Sequence, residues 1–295
     1  MKLLTVDQMV DFVRNGFLRF DAVVPASVNA AFMDRYARDL VDENDANRRL
    51  PAVRFDTPIG EAFAPDTPID AMLRLPEVAG ALHSLLGPGA LVDHQRLHYR
   101  EPGQHVSQFL HCDAMIDARR DAFDVQLMYY PHDVTREMGG TLIVPGSHLR
   151  RVNQATIARY QNVRGQTQLV GPAGTVLILH HNIWHAGRRN ASDTPRAMYK
   201  LRFNPTVRQT GHWDMSTYDA EAARAAKPLH SPHGAEDDIQ HRLSTWEPWA
   251  DVRGGYLDVV QRTKLWRLLA GDDDFTVHHW LTRVENVPGE ARLDG

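Results

Sequence analysis

A carboxylate one residue removed from a histidine faces the same way only on extended backbone, because alternate side chains of a strand fall on one face. The tripeptide His111-Cys112-Asp113 therefore constrains this chain more than any other stretch. Read as a strand, it aims His111 and Asp113 at one point and turns Cys112 to the opposite face, where a small thiol packs as core. The flanks agree, since the turn-prone Glu101-Pro102-Gly103-Gln104 precedes Val106-Ser107-Gln108-Phe109-Leu110. Two imidazoles and one carboxylate can hold Fe(II) on a single face and leave the opposite positions open, and a further candidate imidazole, His185, lies downstream. Taken alone, His-x-Asp is weak evidence in a chain with 16 histidines.

The order of the other elements makes the pattern specific. Met138-Gly139-Gly140 opens the run Thr141-Leu142-Ile143-Val144-Pro145-Gly146-Ser147-His148. Gly174 then leads the apolar Thr175-Val176-Leu177-Ile178-Leu179-His180, and Trp184-His185, Asn190 and Arg196 follow. In this sequence of features the chain resembles the phytanoyl-CoA dioxygenase family of Fe(II)/2-oxoglutarate-dependent oxygenases, over residues 5–205 and most densely over 96–203. The resemblance implies that His111, Asp113 and His185 ligate Fe(II), that 2-oxoglutarate and dioxygen take the open positions, and that Arg196 grips the distal carboxylate of 2-oxoglutarate. A guanidinium suits that task, being a rigid donor fork that stays charged; its plain alternative is a solvated arginine at a strand end.

The resemblance places two further residues near the cosubstrate. Tyr129, on Val125-Gln126-Leu127-Met128-Tyr129-Tyr130, sits where some relatives carry an aromatic contact, and it reads equally well as a buried strand aromatic. Arg96 aligns with another pocket-facing position. One departure stands out: some relatives carry a hydroxyl two residues after the distal histidine, where this chain has Gly187. Halogenating relatives lack the carboxylate of the ligand set, so the presence of Asp113 points to hydroxylation or another hydrogen-abstraction outcome at a C–H bond, with release of succinate and CO2. No side-chain general base is called for beyond the metal ligands.

Competing patterns are weaker. His181 and His185 have the spacing of a helical zinc site, but no glutamate follows His181 and the approach through Val176-Leu177-Ile178-Leu179 reads as a buried strand. His230 with His233, and His278-His279, read as solvated or structural. The arginine pairs Arg119-Arg120, Arg150-Arg151 and Arg188-Arg189 could meet an anionic substrate, although such pairs are usually solvated. Two other function classes stay open: a sensor that binds the metal and 2-oxoglutarate without turnover, and a jelly-roll enzyme using another divalent metal.

The resemblance and the strand-rich middle together imply a mostly β fold with flanking helices, a double-stranded β-helix (jelly-roll, cupin-like) core with buttressing helices. Thr5 and Gln8 form a capping box and Gly16 can close the helix they start, ahead of a strand over 16–20. Further helices are expected over 27–40, 72–86, 218–227 and 259–269, with a loop over 228–234. The expected organisation is a catalytic domain over 1–205 and a helical and loop extension over 206–295. That extension carries tryptophans at 213, 246, 249, 266 and 280, suited to packing on the core, a lid, or a dimer contact. Lys and Arg total 33 against 37 acidic residues, which is no nucleic-acid footprint. Asp7, Asp11 and Arg14 interrupt any apolar leader, so neither export nor membrane insertion is expected. One cysteine permits no internal disulfide and suits a reducing cytoplasm. A small-molecule substrate is the expected partner, with a homodimer left open.

Overall fold

The computed structural model describes residues 1–113, 122–150, 154–159, 161–225 and 238–277. Two antiparallel sheets carry the site. The larger is built from β1 (Phe17–Phe20), β2 (Thr57–Pro58), β3 (Leu91–Arg100), β4 (Val125–Tyr130), β7 (Thr175–His180) and β9 (Arg196–Asn204), in the order β1-β7-β4-β9-β3-β2. The smaller runs β6-β5-β8, from β5 (Thr141–Ile143), β6 (Thr167–Leu169) and β8 (His185–Gly187).

Strand alternation divides the larger sheet into two faces. Val125, Leu127 and Tyr129 of β4, with Val176, Ile178, Tyr199, Leu201 and Phe203, pack in one large core with the helices. Met128, Tyr130, Leu177 and Leu179 belong instead to a second core shared with Ile143 and Leu169 of the smaller sheet. The two sheets thus face one another and the helices buttress one side, as expected of a jelly roll.

Helix α1 (Val6–Asn15) starts at the reciprocal Thr5 and Gln8 capping box and ends on Gly16, whose φ is +81°. A side chain at Gly16 would also run into the ring of His148. Met9, Val10, Phe12 and Val13 are fully buried, at roughly 1.5–3 kcal/mol each, which outweighs the ~1 kcal/mol of a cap. The run expected over 27–40 is α2 (Ala26–Phe32) followed by a wide turn, Met33–Ala37. Helix α3 (Glu43–Arg49) lies along β3, where Asn47 bonds both the N–H and the carbonyl of Leu97. The helix expected over 72–86 is two, α4 (Pro68–Leu73) and α5 (Pro76–Leu86): Pro76 lacks the N–H needed to continue the first and starts the second.

Pro145-Gly146-Ser147-His148 acts as a clasp. The Trp184 N–H donates to Ser147 Oγ, at 2.9 Å, and Ser147 Oγ donates to the Val144 carbonyl, at 2.7 Å. His148 Nε2 donates to the Val13 carbonyl of α1, at 3.1 Å. The segment entering His185 is thereby tied to the N-terminal helix. After α6 (Gln154–Ile157), the extension contributes α7 (Ala220–Arg224), α8 (Ile239–Ser244) and α9 (Val252–Ala270), the last starting earlier than the run expected over 259–269. Trp213, Tyr218, Trp266 and Phe275 form an aromatic cluster, and Arg150 bonds both carboxylate oxygens of Asp258 on α9. The loop over 228–234, His230, His233, His278, His279, Trp280, Arg119, Arg120 and Arg151 lie outside the described residues. No described helix is long and apolar enough to cross a membrane.

His180, at the end of β7, stacks on Phe123 and accepts a hydrogen bond at Nδ1 from the Asn182 N–H. Burial pushes its pKa down to about 4, against about 6.5 in an unfolded chain. The unfolded state therefore takes the proton first as pH falls. The contribution of the neutral ring is complete above about pH 6.5 and is lost towards pH 4, amounting to about 2 kcal/mol by pH 5. Urea unfolding at pH 7 and pH 5 should show that loss, and His180→Phe should flatten it; equal slopes in the two proteins would exclude His180 as the cause.

Candidate metal centre and its surroundings

His111 does not sit in a regular strand. Its N–H donates to the His185 carbonyl at 3.0 Å, the His185 N–H donates back at 2.7 Å, and the Gln108 N–H donates to the Gly187 carbonyl at 2.9 Å. Three residue steps from 108 to 111 thus span the length of two from 187 to 185, and the ladder bulges. This irregular pairing extends the smaller sheet beyond β8 and lays the two histidines side by side, with ring centroids 4.5 Å apart.

Both rings are oriented from behind. His111 Nδ1 donates to the Phe109 carbonyl at 2.8 Å and His185 Nδ1 to the Ile183 carbonyl at 2.9 Å, which leaves each Nε2 with its lone pair free. His111 Nε2 lies 3.7 Å from one Asp113 oxygen and His185 Nε2 lies 3.5 Å from the other. The three ligand atoms all fall within 4.8 Å of one another, a two-nitrogen, one-oxygen set that could hold Fe(II).

The protonation states fit that use. Burial pushes the His185 pKa down to about 4, so its ring is neutral at pH 7. For Asp113 burial acts the other way, yet the positive charges that can face it, on His185, Lys200 and His181, outweigh burial and hold the carboxyl well below the usual range. Burial keeps His185 and His181 neutral near pH 7, which leaves Lys200 as the cation that does this. Lys200 Nζ donates to Asp113 Oδ2 at 3.0 Å.

Lys200 was missed from the sequence although it left a signal, and His181 was noted there only for its zinc-like spacing from His185. Residues 196, 198, 200 and 202 share one face of β9, so the face assigned to Arg196 also belongs to Lys200 and Arg202. His181 Nε2 lies 4.0 Å from Asp113 Oδ2.

Arg196 begins β9 and is buried, its guanidinium donating to the carbonyls of Met138 and Arg188. Burial pulls its pKa down to about 10, which leaves it charged at neutral pH. It stands four residues from Lys200 on the same face, roughly 13 Å of strand. Gly139 makes room for it: φ there is +92°, and a Cβ would come within 2.8 Å of Arg196 Nη1 and 2.1 Å of the Arg189 carbonyl oxygen.

The other two residues read from the resemblance are not brought to the triad. Tyr129 faces the helices, where its hydroxyl donates to Asn29 Oδ1 at 2.5 Å and its ring meets Phe32 edge-on. A one-residue step reverses the face of a strand, and its neighbour Tyr130 points inward, with its hydroxyl 3.2 Å from both Thr141 Oγ1 and the Leu169 carbonyl oxygen. Arg96 is on the inner face but at the open edge of the sheet, where its half-exposed side chain pairs with Glu43 at 2.6 Å. At the departure noted above, the Gly187 N–H donates to Gln108 Oε1 at 2.8 Å, and a Cβ on Gly187 would meet that same oxygen.

Comparison with known proteins agrees with this architecture. Among solved structures, the chain is similar to SnoK, a non-heme α-ketoglutarate-dependent carbocyclase from nogalamycin biosynthesis, at 18% identity and a TM-score of 0.53, covering 77% of this chain and 94% of that one. It is similar to HygX from Streptomyces hygroscopicus with nickel and 2-oxoglutarate bound, at 18% identity and a TM-score of 0.50, covering 69% of this chain and 88% of that one. The match to EvdMO1, at 20% identity and a TM-score of 0.50, covers 68% of this chain and spans half of that protein. No curated protein matches by sequence. The profile of the phytanoyl-CoA dioxygenase (PhyH) family matches residues 12–198. The chain belongs to that family and is an Fe(II)- and 2-oxoglutarate-dependent oxygenase.

Proposed function

We propose that the protein hydroxylates a C–H bond of a small-molecule metabolite, using His111, Asp113 and His185 as the iron ligands and Arg196 as the anchor for 2-oxoglutarate. The observation that carries this reading is the convergence of the three ligand atoms at one end of a sheet face whose other end holds a buried, charged guanidinium. When bound, iron and 2-oxoglutarate together supply oxygen activation, with succinate and CO2 as by-products.

The chain's own residues do the rest. The Phe109 and Ile183 carbonyls fix the imidazole tautomers, so that both rings turn Nε2 towards Asp113. Lys200 holds one Asp113 oxygen and thereby sets the plane of the carboxylate. Arg196, in a site shielded by Tyr130 and Met138, presents its charge to a carboxylate where water competes poorly. Met198 stands between Arg196 and Lys200 on this face, with Met128 and Leu177 level with Lys200, and the role of these apolar side chains is to keep water out while the substrate is held.

Anaerobic addition of Fe(II) and then 2-oxoglutarate should produce a visible charge-transfer band, and His111→Ala and Asp113→Ala should each abolish it. A metabolite screen should then find oxygen-dependent succinate release matched to an oxidised product. Retention of turnover in Asp113→Ala would remove the ligand assignment. Arg196→Lys keeps the charge and loses the fork, so the titration should require about 10- to 100-fold more 2-oxoglutarate while metal uptake is unchanged. Gly139→Ala, strained by its positive φ and its contacts, should lose about 2–4 kcal/mol of stability in urea; unaltered stability would show that the loop around Arg196 tolerates a side chain.

A further inference from the structure

The inner face of the larger sheet continues past Lys200, away from Arg196, and there its character changes. Gln126 of β4 points inward with Met128 and Tyr130, and it stands in register with Arg202 of β9 and Leu179 of β7. It is 0% exposed, yet among the described residues neither its Oε1 nor its Nε2 has a hydrogen-bond partner. Buried amides almost always find partners, and one that lacks them at both atoms needs an explanation. Three more buried polar atoms without partners among the described residues occur nearby in the register: His181 Nδ1, Arg202 Nε and Asn204 Oδ1. His181 of this group also lies 4.0 Å from Asp113, the carboxylate that Lys200 holds. Five of the eleven such atoms among the described residues thus lie at this end of the face, on the side of Lys200 opposite the arginine.

From this we infer that these groups form the subsite for the oxidised substrate, and that Gln126 reads a neutral carboxamide or lactam edge. The inference rests on the oxygenase reading above and deepens it. Charge argues against an anionic head group: Arg202 is matched by Asp124 at 2.6 Å and Asp93 at 3.3 Å, and Lys200 by Asp113 at 3.0 Å, so among the described residues neither cation of this end is left unmatched. A glutamine amide offers one acceptor and two N–H donors side by side, and its complement carries a donor beside an acceptor. A long acyl chain would leave all of these groups unsatisfied, and a site built with buried polar groups discriminates most strongly against such a ligand.

The test uses the whole protein loaded with nickel and 2-oxoglutarate, and thermal unfolding as the readout. The probes are 2-pyrrolidinone, which has the N–H and the carbonyl, γ-butyrolactone, which has the carbonyl alone, and octanoate. The wild type should melt about 2–4 °C higher with saturating 2-pyrrolidinone, less than half as much higher with the lactone, and show no shift with octanoate. Gln126→Met should lose the response, and without probe it should melt higher than wild type by about 2–4 °C, because it removes an unsatisfied amide. Gln126→Leu provides a second apolar replacement with the same expectation. Equal shifts with lactam and lactone, a lactam response that survives in Gln126→Met, or lower melting of both variants would each overturn the inference, the last because it would show that the amide serves the fold. Failure of the wild type to take up nickel and 2-oxoglutarate would bring down the oxygenase reading and this one with it, whereas uptake of both without a lactam response would sink this one alone.

Discussion

Two backbone hydrogen bonds between His111 and His185 hold the site together. They join an irregular segment to the edge of the smaller sheet, and every ligand position follows from that join. Asp113 sits two residues beyond His111, Gln108 fills the space beside Gly187, and the two imidazoles lie side by side, tilted by 47°, with their Nε2 atoms towards the same carboxylate. A pairing shifted by one residue would turn His185 into the apolar cluster of Leu110, Cys112 and Trp184, and would carry those residues into the site. The clasp formed by Ser147 and His148 secures the approach to this join from the other side, which gives the Pro-Gly-Ser-His segment a structural task.

Charge is arranged around that geometry with little redundancy. Burial keeps His185 neutral, as a metal ligand must be, and the same burial would favour a neutral Asp113 were it not for Lys200. Among the described residues Arg196 has no carboxylate partner, and its hydrogen bonds go to two backbone carbonyls. A buried guanidinium satisfied only by neutral groups is costly, and an anionic cosubstrate would supply the missing charge. The fold therefore maintains one cation engaged with the Asp113 carboxylate and another, Arg196, whose proposed partner is a dianion, at two points on one strand.

Much of this was legible in the residues. His-x-Asp and the later His185 marked the three side chains that the structure brings together, the capping box marked the first helix, and the glycine-led apolar runs marked β5 and β7. What was hidden was hidden for physical reasons. Tyr129 and Tyr130 differ by one step in a strand, and only the register shows which faces inward. The bulge between residues 108 and 111 leaves no trace in periodicity. Pro76 breaks the helix expected over 72–86, and the apolar residues on both sides of it share the 3.6-residue pattern, which concealed the break. Arg96 drew attention as a cation, but its partner Glu43 is distant in sequence and takes it to the sheet edge. The buried, unpartnered Gln126 could be recognised only once its neighbours were known.

The account stands on two imidazoles, those of His111 and His185, binding one metal ion. Pulsed electron paramagnetic resonance of the protein loaded with vanadyl ion counts coordinated nitrogens directly. The wild type should show two imidazole nitrogen couplings, and His111→Ala and His185→Ala should each show one. A single coupling in the wild type, or two that persist in either variant, would contradict it.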